Sequence, residues 1–288
     1  MIPIEIQDKI FLYLDYKTLE STRELQSNYV KDRTKYCTLI DVINNINDNT
    51  TGANTTGAIY TGKAAKYTGK AAKYTGKAAK YNGLNNIKWL LNRGVDPSVD
   101  NNYAINFASR HGHLEVVKLL LKDSRVDPAD INNRAIQWAA TKGHTGVVKL
   151  LLGDPRVDPT TLDNYAIQMA SCNGRTDIVK LLLDDPRVDP AARNNNAIIG
   201  ASRYGHMEIV KLLLKDPRVD PAANDNYAIR EASQKGHTEI VKLLLSEPRV
   251  DPTVNNNEAI LLASKKGHTD VVKLLLDDPR VDLENIIY

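Results

Sequence analysis

The sequence is poor in large rings and in sulfur. Two Phe, two Trp and 13 Tyr make up 6% of 288 residues, so the core cannot rest on aromatic packing and must be tiled by smaller aliphatic side chains. Two cysteines, Cys37 and Cys172, stand far apart without a Cys-x-x-Cys spacing. That excludes a disulfide framework and a zinc ribbon alike, and points to a reducing compartment. No stretch approaches the roughly 18 uninterrupted apolar residues of a membrane span. The opening MIPIEIQDKIFLYLDYK breaks its apolar run with Glu5, Asp8 and Lys9, so it does not read as a secretory leader. The expectation is a soluble cytoplasmic chain with no membrane contact.

Charge of one sign is also scarce, with a net of +3 over the whole chain. Lys63, Lys66, Lys70, Lys73, Lys77 and Lys80 lie in one acid-free tract, TGKAAKYTGKAAKYTGKAAKY, so the remaining residues are slightly acidic in sum. Nucleic acid is therefore disfavoured as a partner.

What the sequence does have is a period. The valines Val95, Val126, Val157, Val188, Val219, Val250 and Val281 follow one another at intervals of 31 residues without a slip. In the same register stand Asn102, Asn133, Asn164, Asn195, Asn226 and Asn257, and the glycines Gly112, Gly143, Gly174, Gly205, Gly236 and Gly267. One unit, DNYAIREASQKGHTEIVKLLLSEPRVDPTVN at 225–255, shows the expected mechanics. Asn226 is placed to cap a short helix whose inward stripe is Ala228, Ile229 and Ala232, and Gly236 ends it. Thr238 is placed to cap a second helix with Ile240, Val241, Leu243, Leu244 and Leu245 as its body. Pro248 forbids continuation, and an extended DPRVDP-type loop leads to the next unit. Neither helix buries its face alone, so the pairs must stack.

The segments ASRHGHLEVVKLLL, ASRYGHMEIVKLLL and ASQKGHTEIVKLLL resemble the second half of an ankyrin repeat. The resemblance covers 79–288, about seven units with the first and last atypical. It implies an all-α fold, an ankyrin-type α-solenoid of stacked helix-turn-helix repeats. Two departures stand out. The family's Thr-Pro-Leu-His is replaced by Tyr103-Ala104-Ile105-Asn106 or Asn196-Ala197-Ile198-Ile199. The unit is also two residues short in its connection, so the family's β-hairpin finger is not expected.

Residues 1–46 read as a small N-terminal helical domain. Their string IPIEIQDKIFLYLDYKTLE resembles the opening of an F-box, matched by Pro3, Glu5, Ile6, Ile10, Leu14, Asp15 and Leu19, with Ile2 in place of Leu and no Trp near its end. The resemblance implies a Skp-type adaptor of a cullin ubiquitin ligase as partner, met by Glu5, Ile6, Ile10, Leu14 and Leu19. Proteins combining the two segments resemble those of large DNA viruses of amoebae, which would place the chain in a host cytoplasm. Residues 47–60 are an Asn/Thr/Gly-rich linker, and 61–78 a heptad expansion of TGKAAKY.

Candidate chemistry is sparse. His113, His144, His206, His237 and His268 share one repeat position, with Arg175 substituting once. They read as helix-start residues, since stacked helices about 8–10 Å apart set imidazoles too far apart to share a metal. Asp189, Asp220 and Asp251 beside Arg187, Arg218 and Arg249 read as a charge ladder along the loops. No nucleophile is assembled with a base and no phosphate loop is present, so the chain is expected to be no enzyme, to hold no metal or cofactor, and to be a monomer.

Positions dictated by the fold should repeat between units, and positions free for binding need not. Variation concentrates at Tyr103/Arg134/Tyr165/Asn196/Tyr227/Glu258, at Phe107/Trp138/Met169/Gly200/Glu231/Leu262, and just before each Gly. The candidate partner-binding set is Tyr103, Arg110, His111, Trp138, Lys142, Tyr165, Arg203, Tyr204, Tyr227, Lys235, Lys265 and Lys266. The resemblance places equivalent residues on a concave stripe. Its basic character points to a protein partner with an acidic surface.

Overall fold

The computed structural model describes residues 84–92 and 94–281. The segments 1–46, 47–60 and 61–78 lie outside the described residues, and with them Glu5, Ile6, Ile10, Leu14 and Leu19. Thirteen helices follow in order: α1 (Leu84–Asn92), α2 (Val99–Arg110), α3 (Leu114–Leu120), α4 (Asp130–Lys142), α5 (Thr145–Leu152), α6 (Thr161–Cys172), α7 (Thr176–Leu183), α8 (Ala192–Arg203), α9 (Met207–Leu214), α10 (Ala223–Lys235), α11 (Thr238–Leu245), α12 (Val254–Lys266) and α13 (Thr269–Leu276). There is no strand among the described residues.

The helices form two layers. First helices stack in the order α2, α4, α6, α8, α10, α12, and second helices in the order α1, α3, α5, α7, α9, α11, α13. Each first helix turns back on the second helix of its own unit. The core runs between the layers. In the 225–255 unit Ala228, Ile229, Ala232, Ile240, Val241 and Leu244 are all buried, and side chains such as Ile229 contribute about 1.5–3 kcal/mol each when fully removed from water. Alanines on the first helices let the layers approach closely, which explains why the chain needs so few rings. At the far end Leu261 and Leu276 are exposed.

The turn between the helices is as expected. Gly236 has φ +75°, and the N–H groups of Gly236 and His237 return to the carbonyls of Ser233 and Ala232, a left-handed closure that favours glycine.

Both expected helix caps are corrected. Asn224, Asp225 and Asn226 all adopt left-handed backbone, with φ between 54° and 56°, and the helical run of α10 begins beyond them. The same left-handed triplet opens every first helix from α2 to α12. Asn226 makes no side-chain cap bond; its Oδ1 instead accepts the N–H of Asp251 at 2.9 Å, at the start of the next unit. Asn102, Asn133, Asn164 and Asn195 hold Asp127, Asp158, Asp189 and Asp220 in the same way, at 2.7–2.9 Å. An L-residue in this conformation costs about 1–2 kcal/mol, least for Asn and Asp, and the bond between units offsets part of it. At the second helix the cap position belongs to His237, and Thr238 is the first helical residue.

The loops also differ from expectation. The DPRVDP segment is a compact pair of turns, closed in the third complete unit by Val188 N–H donating to the Asp185 carbonyl. The arginines do not pair with the aspartates that follow them. Arg187 donates from Nε and Nη2 to Asp185, two residues earlier, and from Nη1 to the Val157 carbonyl one unit back. Arg125, Arg156, Arg218 and Arg280 bracket Asp123, Asp154, Asp216 and Asp278 alike. The hydrogen-bonded guanidinium holds each of these carboxyls below the ordinary aspartate value. In the one loop reading Glu247-Pro248-Arg249, Arg249 instead reaches Asp220 at 3.7 Å.

Candidate interaction face

Residues four apart on a helix lie on one face, and the first helices show this directly. On α2 the rings of Tyr103 and Phe107 stand 5.1 Å apart and those of Phe107 and His111 4.4 Å apart. The residue just before that row reaches across to the next unit. Arg110 lies over the Trp138 ring at 4.3 Å, with Lys142 at 5.8 Å from the same ring, and Arg203 Nε stands 3.5 Å from Glu231 Oε2. Cys172 Sγ occupies the space where a Cβ on Gly200 would stand. The three variable positions of each unit therefore form one continuous face along the stacked first helices.

The candidate residues divide by what they touch. Tyr103 and Tyr204 are 43% and 55% exposed, and His111, Lys142, Arg203, Lys235, Lys265 and Lys266 are exposed as well. Arg110, Trp138, Tyr165 and Tyr227 are half-buried. Arg110 and Arg203 are engaged inside the array, stacked on Trp138 and paired with Glu231, so they shape the face as well as present charge. Lys235, Lys265 and Lys266 pair with no carboxylate among the described residues and supply its uncompensated charge.

Glu231 was missing from the candidate set. It is only 7% exposed, an unusual place for a carboxylate, and it is held by Arg203 and the Tyr227 hydroxyl, which it pushes above the ordinary tyrosine value. Arg230 lies over the Tyr227 ring at 5.2 Å and pairs with Glu258 of the next unit. The signal was a charge standing alone among Phe107, Trp138, Met169, Gly200 and Leu262. Burial also pushes the Cys172 thiol up, away from the reactive thiolate.

The histidines prove to be struts between units. His144, His206, His237 and His268 each point Nε2 at the carbonyl of a residue 34 positions earlier, Arg110, Cys172, Arg203 and Gln234, at 2.9–3.1 Å. A carbonyl only accepts, so Nε2 carries the proton. Each of these rings lies over the turn glycine of the unit before, where a Cβ would meet it. Arg175 does the same work, donating from Nε to the Thr141 carbonyl at 3.3 Å. Among the described residues no cluster of His, Cys, Asp or Glu is arranged to hold a metal ion, and no helix is long and apolar enough to cross a membrane.

The family described as ankyrin repeats matches the chain in three adjoining copies, at residues 76–163, 156–225 and 216–285. A comparison with curated proteins finds no match.

Proposed function

Since the chain belongs to the ankyrin-repeat family, whose arrays are protein-interaction scaffolds, we propose that its first-helix face captures an acidic segment of a partner protein in the cytoplasm. The observation that carries this is the contrast on that face between engaged and unengaged cations. Arg203 and Arg230 are paired with Glu231 and Glu258, whereas Lys235, Lys265 and Lys266 extend from successive units without a carboxylate partner among the described residues. Exposed cations on neighbouring units steer an acidic partner and fix its register. Tyr103, His111, Trp138, Lys142, Tyr165 and Tyr204 complete the contact surface.

The test is affinity capture from cell extract with the full chain and with Lys235→Glu, Lys265→Glu, Lys266→Glu combined. The variant is expected to lose its captured proteins while its melting temperature stays unchanged. Equal recovery by both chains overturns the proposal. Arg203 is left intact, because a glutamate there would face Glu231.

The resemblance of residues 1–46 to an F-box supports a second step, in which Glu5, Ile6, Ile10, Leu14 and Leu19 engage a Skp-type adaptor and bring the captured protein to a cullin ubiquitin ligase. Co-purification with a Skp protein that Leu14→Asp abolishes is the expected result. Its absence leaves a plain scaffold that sequesters or localises its partner.

A further inference from the structure

The face changes character along its length. In the first three complete units its floor is apolar, with Phe107, Trp138 and Met169 at one repeat position, all half-buried and so all partly offered to solvent. In the fourth unit that position is Gly200, which is buried and offers no side chain. In the fifth it is Glu231, withdrawn to 7% exposure by its contacts with Arg203 and Tyr227. In the sixth the position returns to a half-buried Leu262, so the floor is an unbroken apolar row only over the first three complete units, and the lysines Lys235, Lys265 and Lys266 stand at the edge of the last two. One end offers a continuous apolar floor, the other a cluster of exposed cations.

We propose that the partner segment is bipartite and lies along the array in one orientation, with an aromatic or aliphatic anchor over Phe107, Trp138 and Met169 and a cluster of Asp or Glu at Lys235, Lys265 and Lys266. This rests on the capture proposed above and goes beyond it by adding the anchor and its direction. Trp138 is the centre of the anchor site. A partly exposed indole between two cations, Arg110 at 4.3 Å and Lys142 at 5.8 Å, joins apolar area to electron-poor groups, the kind of surface that dominates binding energy at protein interfaces. Three helix-to-helix steps separate Trp138 from Lys235, about 24–30 Å at the usual spacing of packed helices. An extended peptide spans that in roughly 7–9 residues. Anchor and acidic cluster must therefore be separated by a linker of about that length, too long for one local motif and short enough for one continuous segment.

The experiment is selection of a displayed library of random peptides of about 16 residues on the full chain, followed by affinity measurement for the enriched peptides. The expected consensus holds an aromatic or aliphatic group and an acidic group separated by about 7–9 residues. Its affinity falls at least tenfold on Lys235→Glu, Lys265→Glu, Lys266→Glu, and at least tenfold on Trp138→Ala. Met169→Gln serves as the second anchor variant should Trp138→Ala alter the melting curve. A peptide whose acids are changed to the amides is expected to be indifferent to the lysine reversal and still sensitive to Trp138→Ala. An acid-only consensus, lost with the lysine reversal and indifferent to Trp138 and Met169, overturns the bipartite segment and leaves the capture proposal standing. Peptides indifferent to both sets, or no enrichment, overturn both. A dimer in sedimentation that the lysine reversal dissociates overturns it in favour of a second copy of this chain.

Discussion

The second helices repeat almost letter for letter, VVKLLL or IVKLLL in every complete unit, while the first helices change at each position that reaches their outer face. Structure explains both behaviours. A second helix sits against its neighbours with Val and Leu that have no alternative partner, and the struts and brackets at its ends bind backbone atoms of the preceding unit. Backbone acceptors are the same in every unit, so the residues addressing them can be the same too. On the first helices each variable side chain packs against another variable side chain, and Arg110 on Trp138, Cys172 on Gly200 and Arg203 on Glu231 are three solutions to one contact. Uniformity follows from contact with main chain, diversity from contact with side chains.

This contrast can be broken from the uniform side. The largest effect is expected from Gly236→Val, which places a branched residue at φ +75° and its Cβ 2.7 Å from the His268 ring. Urea unfolding should show a loss of about 3 kcal/mol or more, whereas Lys235→Ala one position away should stay within about 0.5 kcal/mol. Asn226→Ala comes next. It leaves the Asp251 N–H without its acceptor and alanine in a left-handed backbone, and about 2 kcal/mol should be lost in the same measurement.

The smallest effect is expected from acid. Asp123, Asp154, Asp185, Asp216 and Asp278 have folded values below the unfolded aspartate value of about 3.9. Their contribution is therefore fully present above that pH and lost as pH falls through the folded values. Melting temperature should be level between about pH 7 and 5 and decline below about 4, and high salt should blunt the decline because the brackets are at the surface.

The 31-residue period, the helix pair and the turn glycine were legible in the sequence because each is set by local hydrophobic spacing or by a backbone conformation one residue type favours. The left-handed triplet was not, since Asn is equally the preferred cap of a right-handed helix. The distinguishing signal was the second Asx before it, in Asn101-Asn102, Asn132-Asn133, Asp163-Asn164, Asn194-Asn195, Asp225-Asn226 and Asn256-Asn257, where a cap needs only one. The arginine brackets were misassigned because Asp185-Pro186-Arg187 and Arg187-Val188-Asp189 offer the same spacing on either side. The turn decides between them, since Asp185 also accepts the Arg187 backbone N–H. On the variable face the charges were visible, but the engagement of Arg203 with Glu231 was not. That contact spans 28 residues, and only the stacking distance brings it into being.

The histidine struts all point one way along the chain. His144 reaches back to Arg110, His206 to Cys172, His237 to Arg203 and His268 to Gln234, so the acceptor of each bond has always been synthesised before its donor. Closing a loop of about 34 residues costs little more than closing one half as long. A chain leaving the ribosome can thus dock each unit on the one already formed, and the array can grow as a zipper from its N-terminal side without waiting for residues still to come.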